Sequence, residues 1–423
     1  MNFENTREYA VKLDRKDPLR SYRKQFIFPR INGEEVIYFT GNSLGLQPKR
    51  ARKFVDEIMD DWGNLAVEGH FRAEKPWWDY HERFSEKLAP LVGAYPSEVG
   101  VMNTLTVNLH LLMVSFYRPS AKRYKIIMEE KAFPSDQYMV ASQVRFHGFD
   151  PEKAIVEVSR RDGEHHFRTE DILSKIEEVG AECALVFLGG VNYYTGQVLD
   201  IASITKAGKR IGAFVGWDLA HAAGNISLKL HEWKVDFAAW CSYKYMNSGP
   251  GNLSGYFVHE DHHGLREIPR FEGWWGHNKD RRFLMEATFE PEGDSRAWQL
   301  SNAPVLALSP LLASLEIFEE AGMTEIGRKR DQIVSYLEFI LREVEKEVTG
   351  NFEIITPQER GTQLSVFLHG EGRQTFQYLM DNGVIIDWRE PNVIRLAPAP
   401  LYCSYEDMWK FGKILRGYFR KRE

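Results

Sequence analysis

The sequence lacks the features expected of a secreted or membrane-spanning protein. Its three cysteines, Cys183, Cys241 and Cys403, are far apart and odd in number, so they form neither a CxxC motif nor a disulfide framework. We interpret each one as a small buried hydrophobic residue in a reducing cytoplasm. No apolar run approaches the ~20 residues that a membrane helix needs. The N-terminal stretch has no apolar core and therefore does not predict a secretory signal.

The chain also lacks an excess of positive charge. Lys and Arg total 54 against 60 Asp and Glu, which gives a formal net charge of −6. This balance gives no electrostatic reason to expect nucleic acid or an anionic membrane as a partner. With 423 residues, 43% hydrophobic and 27% charged, the chain has the proportions of a folded protein that is large enough for two domains.

The middle of the chain alternates two periodicities of hydrophobic residues. Short apolar runs bounded by polar turns predict buried strands, and amphipathic stretches between them predict helices. Asp171–Val179 is one such helix, and Asp200 is placed to cap another that runs through Ile204 towards Arg210. Strands that alternate with helices predict a mostly parallel sheet covered on both faces. The predicted strands are Tyr124–Met128, Ala184–Gly189, Ile211–Trp217, Phe237–Ser242 and Leu253–Val258.

The two ends of the chain differ from this middle, because long helices and short strand-like runs dominate there. We therefore predict a large α/β domain over residues 61–303 and a smaller α+β domain over residues 304–423. Residues 1–60 are expected to contribute to the smaller domain as an N-terminal arm. The segments behind this prediction are the helices Arg52–Trp62, Pro304–Ala321 and Thr324–Val348 and the strand-like runs Phe352–Ile355, Leu364–Phe367, Val384–Ile386 and Val393–Leu396.

Four motifs place polar side chains at the ends of strands or the starts of helices. WDLAH (Trp217–His221) follows the strand-like IGAFVG, and SYKYMNSGPG (Ser242–Gly251) follows DFAAW. FPSD (Phe133–Asp136) follows YKIIME, and MNTLTVNLH (Met102–His110) is a Thr-rich turn that leads into an apolar helix. Because α/β sheets bind ligands at the carboxyl ends of their strands, we expect these side chains to meet at one edge of the sheet.

This set matches the needs of pyridoxal phosphate (PLP). An aspartate such as Asp218 keeps the pyridine nitrogen protonated, and a lysine such as Lys244 forms a Schiff base with the aldehyde. An aromatic ring such as Phe133 stacks on the cofactor, and the phosphate binds at a helix start. Taken singly, a strand-end Asp is most often a cap and a Lys in a glycine-rich loop is most often solvated. The ordered set is far more specific than any one member.

At the level of whole motifs, the chain resembles the kynureninases, PLP enzymes of fold type I that are related to the class V aminotransferases. The likeness runs from about Tyr38 to Phe411. It implies a large α/β domain with a mostly parallel seven-stranded sheet and a smaller C-terminal α+β domain. The motifs that carry it are FTGNSLGLQPK (Phe39–Lys49), MNTLTVNLH, FPSDQY (Phe133–Tyr138), NYYTGQ (Asn192–Gln197), WDLAHAAGN (Trp217–Asn225), YKYMNSGPG (Tyr243–Gly251), GWWGH (Gly273–His277), SNAP (Ser301–Pro304) and IRLAPAPLY (Ile394–Tyr402).

The resemblance also implies roles for individual residues. Lys244 is similar to the Schiff-base lysine, Asp218 to the partner of the pyridine nitrogen, and Tyr243 to a candidate proton donor that reaches the phosphate. Arg395 is similar to the arginine that clamps the substrate α-carboxylate. The other implied cofactor contacts are Leu105, Thr106, Phe133, Pro134, Ser135, Asp136, His221 and, from a second subunit, Trp274 and Asn302; the other implied substrate contacts are Asn42, Ser43, His70 and Asn302.

The activity that the resemblance implies is hydrolysis of the Cβ–Cγ bond of L-kynurenine or 3-hydroxy-L-kynurenine. The products are anthranilate or 3-hydroxyanthranilate and L-alanine, so the enzyme is a hydrolase of carbon–carbon bonds in ketonic substances that serves tryptophan degradation and uses no metal. It also implies a cytoplasmic homodimer with active sites shared across the interface. One departure is Gly189–Gly190, where many relatives have a serine. We expect this change to tune the cofactor site rather than to abolish function.

Two alternative functions remain open at this point. Another PLP lyase of the same fold, such as a cysteine desulfurase, needs a mobile catalytic cysteine, for which Cys403 is the candidate. A PLP-binding homologue without turnover does not need a carboxylate clamp, so the presence of Lys244, Asp218 and Arg395 together argues against it. His70 also has a plainer interpretation, as a surface or helix-end histidine.

Overall fold

The polypeptide folds around two β-sheets, and the computed structural model describes residues 3–348 and 350–420. The strands of this part, in chain order, are β1 Phe26–Ile27, β2 Arg30–Ile31, β3 Glu34–Glu35, β4 Ile37–Tyr38, β5 Gln47–Pro48, β6 Val99–Met102, β7 Lys125–Glu129, β8 Ile155–Val158, β9 Cys183–Gly189, β10 Phe214–Asp218, β11 Phe237–Trp240, β12 Ser254–Val258, β13 Phe352–Ile354, β14 Leu364–Leu368, β15 Val384–Ile385, β16 Asp387–Arg389 and β17 Val393–Leu396. The α-helices are α1 Arg7–Lys16, α2 Ala51–Leu65, α3 Gly69–Arg72, α4 Ser85–Val92, α5 Leu105–Phe116, α6 Pro134–Phe146, α7 Pro151–Ala154, α8 Thr169–Val179, α9 Ile201–Arg210, α10 Val305–Ala321, α11 Met323–Glu347, α12 Gly372–Asp381 and α13 Tyr405–Arg420.

The larger sheet has seven strands in the order β6-β12-β11-β10-β9-β7-β8. Neighbouring strands from β11 to β8 are parallel, and β12 runs antiparallel to both β11 and β6. The predicted α/β fold with a mostly parallel seven-stranded sheet is therefore confirmed. The hydrophobic pattern does not reveal the edge strands β6 and β8, whose apolar runs are interrupted by Gly100 and Glu157.

Both faces of this sheet are buried under helices. Ile126 of β7 points to the face covered by α5 and α6, where it shares a core with Leu109. Ile127, the next residue, lies on the opposite face with Ile176 of α8 and Ile204 of α9. Because successive side chains of a strand alternate between faces, each strand needs apolar residues at every position, and its sequence becomes a continuous apolar run.

Local sequence signals set both ends of helix α9. The side chain of Asp200 accepts a hydrogen bond from the backbone N–H of Ser203 at 3.0 Å, as predicted, and so satisfies one of the free donors of the first turn. Beyond the helix, Gly212 adopts a φ of +76°, which favours glycine. The chain therefore turns there, and β10 begins at Phe214 rather than at the predicted Ile211.

The smaller sheet has four antiparallel strands in the order β13-β14-β17-β16. It lies beside helices α11 and α13, which pack on each other, and Phe352 of β13 stacks against Phe419 of α13. The predicted run Val384–Ile386 does not join this sheet. Its strand, β15, pairs instead in parallel with β4, so that Val384 lies opposite Ile37.

The N-terminal residues pack on the same part of the molecule. Helix α1 contacts α13, and the buried ammonium group of Lys329 lies 2.7 Å from Asp17 Oδ2. Helix α2 packs on α10, which begins close to the predicted domain border. We retain as a proposal the division into an arm over 1–60, a large domain over 61–303 and a small domain over 304–423. Within the described residues, no helix combines the length and apolar character that crossing a membrane requires.

Candidate active site

A cavity of about 300 Å³ opens at the carboxyl edge of the large sheet, and residues of both sheets contribute to its wall. Twelve of the predicted site residues line it: Asn42, Ser43, Leu105, Thr106, Phe133, Ser135, Asp136, Asp218, His221, Tyr243, Lys244 and Arg395. The wall also contains Gly189, at the position of the noted departure. Seven further wall residues carry no site prediction: Thr104, Glu129, Val191, Tyr193, Ala220, Cys241 and Arg389.

Lys244 lies in the loop after β11 and faces an aromatic ring. Its Nζ is 6.0 Å from the ring centroid of Phe133, the residue that precedes helix α6. Tyr193 meets the Phe133 ring edge-on, with a centroid distance of 5.2 Å, and so fixes its orientation. A flat ligand attached to Lys244 would therefore have an aromatic face beside it.

Asp218 and Asp136 form a buried carboxyl pair. Burial raises the pKa of both groups, and the negative charge of Asp218 together with the hydrogen bond between them raises the pKa of Asp136 further. Asp136 therefore keeps its proton and donates a hydrogen bond to Asp218. The ammonium group of Lys244 lowers the pKa of Asp218, and Asp218 Oδ1 also accepts the N–H of Ala220 at 2.6 Å. The pair thus carries one negative charge, which suits a protonated ring nitrogen.

A third carboxyl group, Glu129, ends β7 in the same wall. Burial raises the pKa of the Glu129 carboxyl group to about 7, and the negative charge of Asp218 raises it as well. A hydrogen bond from Gly189 N to Glu129 Oε2, 2.9 Å long, acts in the opposite direction and lowers the pKa. The sequence signal that could have found Glu129 is the one that found Asp218, an acidic residue at the carboxyl end of a buried strand.

Two wall residues have buried polar atoms without a hydrogen-bond partner among the described residues. One is His221 Nδ1, and the other is Asn42 Oδ1. Burial, helped by the charge of Lys244, lowers the pKa of His221 well below its usual value, so the imidazole is neutral. Asn42 is held from the other side, since its Nδ2 donates to Gln363 Oε1 at 3.0 Å. Unsatisfied buried atoms in a cavity wall are typical of a ligand site.

The first turn of helix α5 offers a place for an anion. Thr104, Leu105 and Thr106 line the cavity, and Thr104 makes no side-chain cap to the twelve-residue helix. The free N–H groups and the dipole of such a helix start favour a phosphate. Tyr243 lies in the same wall, and burial raises the pKa of its hydroxyl, which therefore keeps its proton at neutral pH.

The smaller sheet brings two arginines to the cavity. Arg395 is buried, with Nε 2.6 Å from Asp387 Oδ1, and its Nη1 donates to the carbonyl oxygen of Tyr193 at 2.7 Å. Arg389 lies 3.8 Å from the same aspartate, and burial, followed by the charge of Arg395, lowers its pKa. Two guanidinium groups and one carboxylate leave a single positive charge, which suits one substrate carboxylate.

Comparison with known proteins agrees with this geometry. A family model described as the kynureninase C-terminal domain matches residues 330–415. The kynureninase of Christiangramia forsetii is 73% identical over 419 residues, which cover 98% of this chain and 99% of that protein. The kynureninase of Flavobacterium johnsoniae is 70% identical with the same coverage, and that of Myxococcus xanthus is 52% identical over 99% of both chains. The chain belongs to the kynureninase family.

Solved structures share the fold at much lower identity than the kynureninases do. The cysteine desulfurase CsdA from Escherichia coli has a TM-score of 0.76 at 15% identity and covers 95% of this chain and 98% of its own. A C-DES mutant with glycine covalently linked to the PLP cofactor has a TM-score of 0.74 at 17% identity, covering 90% and 96%. These likenesses show the fold alone, and they confirm the predicted fold type I.

Four residues implied by the kynureninase resemblance stay outside the cavity of the single chain: Pro134, His70, Trp274 and Asn302. Pro134 is exposed at the start of α6, directly after Phe133. His70 lies in helix α3, half-buried, with its ring edge-on to Trp77 at 5.4 Å. Within one chain, His70 therefore lies near the end of a helix, as the plainer interpretation predicts.

Trp274 and Asn302 also lie away from Lys244. The indole of Trp274 is 42% exposed and donates from Nε1 to the carbonyl oxygen of Arg282 at 3.1 Å. Asn302 is exposed and lines a separate groove with Ser301. The kynureninase resemblance assigns both residues to the active site of a second subunit. A residue with that role has to lie outside the cavity of its own chain.

Proposed function

We propose that this chain is a PLP-dependent hydrolase that cleaves the Cβ–Cγ bond of L-kynurenine or 3-hydroxy-L-kynurenine to anthranilate or 3-hydroxyanthranilate and L-alanine. The observation that carries the proposal is the convergence of Lys244, Asp218 and Arg395 on one cavity. An amine for covalent attachment, an acid for the ring nitrogen and a guanidinium group for the amino-acid carboxylate form the set that such a reaction needs. Identity of up to 73% to kynureninases supports the choice of substrate.

The residues present fit PLP. The exposed face of Phe133 and the neutral ring of His221 suit a flat aromatic ligand, and the start of helix α5 suits its phosphate. The orphaned His221 Nδ1 needs a partner that the described residues do not provide. When bound, PLP supplies an electron sink for the negative charge that develops on the substrate carbons.

Each wall residue then has a defined task. Asp218 holds the proton on the ring nitrogen, with Asp136 donating to it from behind. Lys244 Nζ takes up and moves the proton at the substrate α-carbon, while Arg395 holds the α-carboxylate. One water adds to the γ-carbonyl carbon, the Cβ–Cγ bond breaks with its electron pair left on Cβ, and Cγ stays on the aryl ring as the carboxylate of anthranilate. Tyr243, which keeps its phenolic proton, is the candidate donor to the remaining three-carbon fragment.

The two alternatives are less well supported. A cysteine desulfurase needs a mobile thiolate, yet Cys403 is buried outside the cavity, its Sγ donates to the carbonyl oxygen of Tyr38 at 3.2 Å, and burial raises its pKa. Cys241 lines the cavity, but burial raises its pKa as well. A homologue without turnover would have no need of the buried Arg395 clamp, whose desolvation costs stability.

We further propose that the enzyme works as a homodimer in the cytoplasm, where it degrades tryptophan-derived kynurenine. Trp274 and Asn302 are exposed outside the cavity of their own chain, which supports a site shared between two subunits. The side chains around Trp274 include the exposed Phe283, stacked on Trp78. The three free cysteines are all buried and unpaired, as suits a reducing compartment.

The test is product analysis with the purified full-length chain and PLP. We expect one anthranilate and one alanine per L-kynurenine consumed, and no sulfide from L-cysteine. Lys244→Ala should keep the circular dichroism spectrum but lose covalent attachment of the cofactor and essentially all turnover. Lys206→Ala, an exposed change on α9, is the matched control and should leave both unchanged. Wild-type activity in Lys244→Ala, or sulfide release by the wild type, would refute the proposal.

A further inference from the structure

Glu129 is a buried carboxyl group next to the cofactor-binding edge, and no task described above uses it. It is 4% exposed, and its Oε2 accepts the backbone N–H of Gly189 at 2.9 Å. Gly189 is in turn the residue of β9 that pairs directly with Asp218 of β10. One hydrogen bond and one step across the sheet therefore connect Glu129 to the carboxylate expected at the ring nitrogen.

Because Gly189 has no side chain, the carboxylate of Glu129 has space beside it. A Cβ atom built on Gly189 would lie 3.1 Å from Glu129 Oε1, a contact tight enough that the carboxylate would have to shift by a few tenths of an ångström. In its present position Glu129 lines the cavity. The noted departure from serine to glycine thus leaves space that a carboxylate oxygen uses.

When Glu129 is ionised, two carboxylates, Asp218 and Glu129, share this end of the cavity with one cation, Lys244. Of the three carboxyl groups, Asp136 keeps its proton, Asp218 is ionised beside Lys244, and Glu129 has a pKa of about 7. The arginines of the cavity wall lie on the smaller sheet. A protonated ring nitrogen is the cation that would complete the balance. The titratable groups that share this wall are Asp136, Asp218, His221, Cys241, Tyr243 and Lys244.

We propose that Glu129 is a positioning residue for the cofactor: its carboxylate supplies a second negative charge behind Asp218 and so helps to keep the proton on the ring nitrogen of PLP. The inference rests on the proposed binding of PLP, but not on the choice of kynurenine as substrate. In a buried site two carboxylates attract one cation more strongly than one does, because little solvent screens them. The gain is mutual, since the cation also lowers the cost of burying an ionised Glu129.

The test compares two ligands that differ only at the ring nitrogen. The full-length chain, freed of cofactor, is titrated with PLP and with 1-deazapyridoxal phosphate, in which a CH group replaces the nitrogen. Glu129→Gln keeps the shape and an acceptor for Gly189 N but removes the charge. We expect it to weaken PLP binding by about tenfold, as for one unit of ring-nitrogen pKa, and to leave binding of the deaza compound unchanged.

A matched control lies next to Glu129 in the chain. Glu130 follows the same strand, but its Oε1 pairs with Arg160 Nε at 2.9 Å and does not line the cavity. Glu130→Gln should change neither affinity. If Glu129→Gln lowers the affinity for both ligands equally, the residue only shapes the site and the proposal is wrong. An unchanged affinity for PLP would also overturn it.

A direct reading of the proton completes the test. With nitrogen-15 in the ring of bound PLP, the chemical shift reports whether the nitrogen is protonated. We expect the proton to be lost at a pH about one unit lower in Glu129→Gln than in the wild type. Identical titrations would contradict the role of Glu129. Failure of the wild type to bind PLP would instead count against the proposed function, so the two failures are distinguishable.

Discussion

Arg395 and Asp387 lie directly opposite each other on neighbouring strands and form a two-point ion pair. Arg395 of β17 is the register partner of Asp387 of β16. Nε of the guanidinium group is 2.6 Å from Asp387 Oδ1, and Nη2 donates to the second carboxylate oxygen. Because Nη1 is also bound to the carbonyl oxygen of Tyr193, the plane of the group is set before any substrate arrives.

Loss of this pair should weaken substrate binding more than turnover. In Asp387→Asn the guanidinium group loses a charged partner, a loss of about 1.5–3 kcal/mol, and also loses its orientation. We expect KM for L-kynurenine to rise roughly tenfold or more, with a smaller fall in kcat. Steady-state kinetics measure the split. Asp381→Asn, on the exposed end of α12, should change neither value, and an unchanged KM in Asp387→Asn would contradict the role of the pair.

Asp218→Asn should separate cofactor binding from cofactor activation. The amide keeps the size of the side chain but cannot hold a proton on the ring nitrogen. PLP should stay bound, as its absorbance shows, while kcat falls by roughly a hundredfold or more, the scale seen when one preorganised group is removed. Asp200→Asn provides the control, because Asn also caps helix α9. Unchanged kcat in Asp218→Asn would show that another group serves the ring.

The stability of the cofactor-free chain should carry the signature of Glu129. Its pKa is about 7 in the folded chain against an ordinary value of 4.5. Below pH 4.5 both states hold the proton and burial adds no ionisation cost. Between pH 4.5 and 7 the unfolded state releases the proton first, so the free energy of unfolding falls, by about 3 kcal/mol in all, and then levels off.

Glu129→Gln should remove that decline. The difference in unfolding free energy between the variant and the wild type, measured by urea titration of the cofactor-free proteins, should grow in favour of the variant from pH 4.5 to 7. Above pH 7 it should stay constant. A difference that is independent of pH would show that Glu129 is not a group of raised pKa.

Shared active sites predict rescue between inactive variants. Lys244→Ala removes the lysine of one cavity, and a Trp274→Ala/Asn302→Ala double variant removes what the same subunit contributes to its partner. If the proposed two-fold dimer exists, mixing the two inactive proteins under conditions of subunit exchange should restore part of the activity, because a hybrid contains one intact site. Full activity of a monomer, established by light scattering at the assay concentration, would contradict the shared site.

Substrate choice should depend on His70 and Asn302. The kynureninase resemblance places both near the substrate aryl ring, and within one chain neither lines the cavity. A ring hydroxyl that enters an apolar wall loses hydration at a cost of about 1–3 kcal/mol, which two hydrogen-bonding side chains can offset. We therefore expect 3-hydroxykynurenine to be accepted at least as well as kynurenine.

The measurement is the ratio of kcat/KM for the two substrates in the wild type and in the His70→Trp/Asn302→Thr double variant. The ratio should shift towards kynurenine in the variant. If the wild type strongly prefers kynurenine and the ratio is unchanged in the variant, the role of His70 and Asn302 in substrate choice is contradicted. His70 would then be a helix-end histidine without a part in substrate binding.

The cofactor side of the site was predictable because its residues follow strong apolar strands. Asp218, Lys244 and Phe133 each follow such a run, and all three meet in one cavity. Glu129 was harder to find, because two acidic residues, Glu129 and Glu130, stand in succession at the end of β7, and a shift of one residue exchanges the faces of a strand. Only the pleat decides that Glu129 faces the cavity while Glu130 pairs with Arg160.

The substrate side depends on contacts between distant parts of the chain. Asp387 meets Arg395 through the register of β16 and β17, and no local pattern sets that register. Asn42 reaches the wall because β4 pairs with β15, far along the chain. The edge strands β6 and β8 escaped prediction for a different reason, since Gly100 interrupts the apolar run of the first and Glu157 that of the second.

The contacts of the N-terminal arm also constrain how the chain folds during synthesis. Asp14 accepts the backbone N–H of Tyr405 at 2.8 Å, and Asp17 pairs with Lys329. The seven strands of the large sheet are complete once Val258 has been made, but helix α1 meets α13, and Asp17 meets Lys329, only after the later helices have been added. A nascent chain must therefore carry helix α1 without these contacts while the large sheet is already complete, and the pair of Arg395 and Asp387 that holds the substrate carboxylate also forms only after that sheet.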